Sequence, residues 1–198
     1  MRSAFDRLIS GAGLLIALML LVAGGLLTWA TSFIGDQVRN QLVMQDITMP
    51  EGKALDSLPQ ADADALRPYA GSVLDTGAKA KAFADHYILV HMNASSDNRT
   101  YEEVSGEYVA MTDAQKASDE GQALAGLRQS LFMGNTLRGL LLYGYAFATI
   151  GAIAGYAAIA AFVGAALMLL LAFLGYRHAK RQAAEAPVVG GSAQPATA

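Results

Sequence analysis

The 198 residues are 54% hydrophobic and 16% charged, with a formal net charge of −3 and no cysteine. Disulfides, thiolate metal sites and thiol nucleophiles are therefore excluded. Residues 36–138 hold 15 acidic against 9 basic residues, a balance that argues against nucleic acid as a partner.

Two stretches lack any Asp, Glu, Lys, Arg or His: 28 residues from Leu8 to Gly35, and 38 residues between Arg138 and Arg177. A hydrocarbon core needs only about 20 helical residues. The reading is an all-α integral membrane protein with two transmembrane helices, 8–30 and 150–175. A small helical extracytoplasmic domain, 31–149, is expected to be built on extensions of both helices.

Residues 1–7 form a short basic start. The apolar stretch after them is longer than that of a cleaved signal peptide, and Trp29 suits an interfacial anchor, so a retained helix is expected. Ile34, Val38 and Leu42 recur every fourth residue among polar neighbours, which predicts an amphipathic continuation to about Met44. Pro50 and Gly52 end it. A short helix follows Pro59 to about Leu66 and stops before Pro68.

Asp75 or Thr76 can cap a helix running to about Met92, with a polar loop over 93–99. Thr100 with Glu103, and Thr112 with Gln115, have capping-box spacing. They predict helices over 100–111 and 113–133, with a break or kink at Gly134 and Asn135.

A single helix over 139–176 would be about 57 Å long, nearly twice a hydrocarbon thickness of about 30 Å. Tyr143, Tyr145 and Tyr156 prefer interfaces to mid-bilayer. The expectation is one helix whose 150–175 part crosses lipid while 136–149 anchors the external domain. Arg177, Lys180 and Arg181, with Arg2 and Arg7, put both termini in the cytoplasm of a plasma-membrane protein. Residues 176–198 give a basic flank, then an Ala/Gly/Pro-rich tail expected to be disordered.

Gly151, Gly155 and Ala158 open a small-residue face suited to close helix packing. The spacing does not say whether the neighbour is internal or another subunit. Phe83, Tyr87, Phe132 and Tyr143 are candidates to line an apolar pocket. His86 and His91, five apart on one helix, diverge by about 140° and cannot chelate a metal together. Glu102, Glu103 and Glu107 read as a solvated acidic face. No nucleophile elbow, phosphate loop, metalloprotease or dinucleotide fingerprint is present, and neither a cofactor nor a metal site is expected.

The stretches Val22–Ala30, Gly77–His86, Leu131–Leu142 and Gly175–Arg181 resemble a group of actinobacterial two-span membrane proteins of unknown function. The likeness covers most of 5–181. Members are often labelled aromatic ring-opening dioxygenases, an activity resting on a preformed iron site of His and carboxylate ligands. This chain has too few suitably placed histidines for that site. The expected function is non-enzymatic: an accessory or scaffold subunit of a cell-envelope or membrane complex, with a membrane-protein partner or a second copy. The alternative is an envelope sensor, or a protein that binds a lipid or small molecule.

Overall fold

A computed structural model describes residues 2–185 of the chain, with side-chain environments for 5–182. Its order is α1 (Arg2–Val43), α2 (Lys53–Asp56), α3 (Gln60–Leu66), a 3₁₀ turn (Arg67–Tyr69), α4 (Gly77–Phe83), a π turn (Ala84–Ile88), α5 (Leu89–Ser96), α6 (Tyr101–Ala110), α7 (Asp113–Lys116) and α8 (Asp119–Glu185). The all-helical class is as expected, and two helices, α1 and α8, are long and apolar enough to cross a membrane. The part of the expected tail beyond Glu185 lies outside the described residues. Contacts divide the chain into two compact units: α1 up to Trp29 with α8 from Ala154, and residues 30–153.

In the first unit the two helices meet through small residues. Ala17, Ala158, Ala161, Ala165 and Ala172 are buried, and a methyl added at Gly24 would strike the Phe162 ring at 2.9 Å. The large side chains point outward: Leu15, Leu18, Met19, Val22, Leu170 and Phe173 are all more than half exposed. Small residues inside and large apolar residues outside invert the pattern of a helix pair stabilised by water.

The second unit has two apolar clusters. The larger gathers Met49, Leu55, Leu66, Leu74, Phe83 and Leu141, and the smaller holds Val104, Leu124 and Leu131. The helix starts follow from their caps. Thr76 accepts the Lys79 N–H, Thr100 and Glu103 close a capping box, and so do Thr112 and Gln115. A short antiparallel pairing, invisible to periodicity, ties the loops around α2 and α3. The Met49 N–H donates to Ser72 O at 2.8 Å and the Leu74 N–H to Ile47 O at 2.9 Å. Gly71, at φ +66°, makes the turn into it.

Three local expectations are corrected. The helix begun at Gly77 runs on to Ser96 and ends on Asp97 and Asn98, both in left-handed conformation, rather than near Met92. The expected helix over 113–133 is divided at Ala117 and Ser118. The Ser118 Oγ accepts the Gly121 N–H at 3.2 Å and starts α8 afresh. Gly134 and Asn135 do not break that helix. Gly134 is small because a Cβ there would meet the Met92 Sδ at 2.5 Å; it serves packing, not chain reversal.

Candidate functional site

The end of α1 and the middle of α8 enclose an apolar groove of about 540 Å³ within the second unit. Its size falls inside the range of about 300–1,000 Å³ typical of small-molecule sites. The α1 wall presents two adjacent stripes at four-residue spacing. Ile34, Val38 and Leu42 form the apolar stripe, and Gln37, Gln41 and Gln45 carry carboxamides beside it. The α8 wall supplies Leu137, Leu140, Leu141, Gly144 and Phe147. Leu42 and Leu141 are buried at the base, while Leu140, Phe147 and the three glutamines are exposed at the rim. Gly144 leaves the base open. A methyl there would sit in ordinary contact, 3.5 Å from Leu42 Cδ2, and anything longer would enter the groove.

The expected pocket residues do not line this groove. Phe83 is buried and stacks on Tyr87 at 4.9 Å, and Tyr87 meets the His91 ring at 4.4 Å. Phe132 instead packs against Tyr101 at 5.9 Å, beside the smaller cluster, and Tyr143 is 66% exposed. Aromatic content marked these four, but content does not say which helices become neighbours. The signal for the groove was available: three glutamines four residues apart, directly beside the apolar stripe 34/38/42.

The small-residue face packs internally. The Thr31 Oγ1 donates to the Gly151 carbonyl at 3.2 Å, and a Cβ on Gly151 would lie 3.1 Å from Ile34 Cγ2. Gly155 is half-buried and Ala158 is buried.

The histidines have separate partners. His86 Nδ1 lies 2.8 Å from Asp62 Oδ1 of α3, and His91 Nδ1 lies 2.7 Å from the Tyr87 carbonyl. Among the described residues no three His, Asp or Glu side chains converge where a metal could bind. Of the acidic face, Glu103 closes its capping box and Glu107 pairs with Arg99 at 2.8 Å.

An ionic network joins the π turn to α8. Asp85 is bridged by Lys81 and by Arg138, the latter at 3.0 Å. Arg138 Nε also donates to the Ala84 carbonyl at 2.9 Å. That carbonyl already receives the Leu89 N–H in the five-residue π hydrogen bond. Partial burial raises the affinity of the Asp85 carboxyl for a proton. The hydrogen bonds and charges of Lys81 and Arg138 outweigh it and hold the group below the usual aspartate range. A depressed carboxyl stabilises the fold above its unfolded pKa and loses that contribution as pH falls through its folded value. Denaturation from pH 7 to pH 3 is expected to show this loss beginning near the ordinary value of about 3.8. Asp85→Asn should cost about 1 kcal/mol at pH 7 and flatten the acid limb. An unchanged limb would remove Asp85 from that role.

Comparison with protein-family models, curated proteins and solved structures gave no match.

Proposed function

We propose that this chain is a non-enzymatic plasma-membrane protein that acts by holding an apolar ligand in the groove between the end of α1 and the middle of α8. In this reading the first unit lies in the bilayer, both termini are cytoplasmic, and the 31–149 domain is extracytoplasmic. The outward-facing large side chains of the first unit and the basic flanks support the topology. The observation that carries the binding role is the groove itself: a concave apolar surface with a few aligned hydrogen-bonding groups and no charge in its lining.

Native mass spectrometry of the full chain in mild detergent tests the binding role. A retained apolar adduct is expected on the wild type and on Gly126→Leu, whose added side chain meets open space. It should be absent from Gly144→Leu. Bare polypeptide throughout, or the same adduct on all three, would sink the reading. The topology has its own test, made simple by the lack of cysteine. Glu102→Cys should react with an impermeant maleimide on intact cells, and Lys180→Cys only after lysis. The reverse pattern would invert the topology.

A second reading, an accessory subunit that contacts another protein, draws support from a different observation. Val109, Phe132 and Met133 are each more than half exposed and lie outside both uncharged runs.

A further inference from the structure

The groove takes its lining from the edges of the two uncharged runs. Phe33 and Ile34 belong to the last residues of the first run, and Leu140, Gly144 and Phe147 to the opening of the second. At its other extreme the lining ends with Gln45, past the end of α1. The Phe33 end is apolar for about one turn, and carboxamides then run from Gln37 through Gln41 to Gln45 at the other end. From Phe33 to Val43 the α1 wall rises about 15 Å, so the space is long in one direction. That form suits an extended chain better than a compact ring system.

The polar groups are as informative as the apolar ones. No Asp, Glu, Lys, Arg or His lines the groove. Each glutamine offers two N–H donors and a carbonyl acceptor, a set that matches ester, hydroxyl or amide groups. A carboxylate or phosphate would meet no counter-charge in the lining, so nothing there favours it over a neutral head group.

We infer that the groove holds one acyl chain of a neutral-headed amphiphile taken from the bilayer. The chain lies along Val38, Leu42 and Leu141 with its tail at Phe33 and Phe147. The head group's oxygens accept from, and its hydroxyls donate to, the carboxamides of Gln41 and Gln45. This rests on the ligand-binding reading and adds the class and orientation of the ligand.

The experiment uses the full chain in phosphatidylcholine vesicles with monopalmitoylglycerol carrying a diazirine in its acyl chain. Palmitic acid with the same diazirine is the charged arm. After irradiation, adducts of the glycerol ester are expected on peptides covering 33–45 and 137–147. Gly144→Leu should reduce them about tenfold and Gly126→Leu should leave them unchanged. Leu140→Gln, at the exposed rim, provides a second blocking variant that does not disturb buried packing and should also lower labelling. Adducts spread evenly over the exposed leucines of 8–22 and indifferent to both blocking variants would overturn the proposal. So would cross-linking of Gln41→Cys to its counterpart in a second copy with no lipid adduct in the groove. Stronger labelling by the fatty acid would overturn the neutral head group. If Gly144→Leu removes the co-purifying apolar mass while lipid adducts stay unchanged, the ligand-binding reading stands and the acyl-chain assignment falls.

Discussion

Leu66→Ala is expected to destabilise the 30–153 unit by about 3 kcal/mol, within the span of about 2–5 kcal/mol seen for buried leucines. Leu66 closes α3 and is fully buried in the larger cluster with Met49 and Leu74. Removing its isobutyl group forfeits the transfer of that apolar surface, about 1.5–3 kcal/mol for a whole leucine, and leaves a cavity. The cavity closes poorly here because the loops on either side are tied by the Met49–Ser72 and Leu74–Ile47 hydrogen bonds. A small domain has only about 5–15 kcal/mol in total, so the loss should be plain in urea denaturation in mild detergent. Leu140→Ala, at a position 60% exposed, is the matched control and should move stability by less than about 0.5 kcal/mol. A cost below about 1 kcal/mol for Leu66→Ala would mean that the larger cluster is not the core of the unit.

The second large effect is a contrast in sign between two glycines. At Gly77, the first residue of α4, an added methyl would lie 2.5 Å from the Ala148 Cβ and 3.1 Å from the Tyr145 Cα. Neither atom can turn aside, since both are fixed by the α8 backbone. Gly77→Ala must therefore push α4 off α8, at about 1–3 kcal/mol. Gly126, exposed inside α8 with no atom within 4 Å of the added methyl, should behave oppositely. There alanine gains about 0.5–1 kcal/mol by restricting the unfolded chain. Denaturation of both variants decides the matter; a stabilised Gly77→Ala would show that α4 does not approach α8 so closely.

Where the sequence carried a local signal, structure followed it. The stripe Ile34, Val38, Leu42 marked the extension of α1, and two capping boxes located the starts of α6 and α7. Several of the misreadings share a physical cause: they involve a residue whose role is set by something distant. Gly134 looked like a helix breaker and is a packing site for Met92, 42 positions away. The Thr48–Val73 bridge joins loops with no alternation of their own. The four aromatics proposed as one pocket separate, Phe83 and Tyr87 into the larger cluster, Phe132 onto Tyr101 and Tyr143 into an exposed position, because helix pairing, not composition, decides neighbours. Two were local: Ser118, a cap concealed by the run of helix formers around it, and the left-handed stop at Asp97 and Asn98. For the groove, the glutamine ladder was legible, but the opposing wall from α8 was not, since nothing in 137–147 says which face meets α1.

The π turn at Ala84–Ile88 straightens a row of rings that an ordinary helix would let drift around its axis. Over eight residues an α-helix drifts by roughly 80°, so Phe83 and His91 should point in different directions. A π turn takes up about one extra residue, which cancels roughly 100° of that rotation. Phe83, Tyr87 and His91 consequently follow one another along one side, Phe83 stacked on Tyr87 and His91 tilted against it by 45°. The helix works here like a gearbox with one skipped tooth: everything after Ile88 is clocked differently from everything before Ala84. Arg138 on the Ala84 carbonyl holds the gear engaged. His86 and His91, on either side of Ile88, each keep a separate partner, Asp62 and the Tyr87 carbonyl. The carbonyl that closes this turn is thus shared with a guanidinium 54 residues downstream of Ala84.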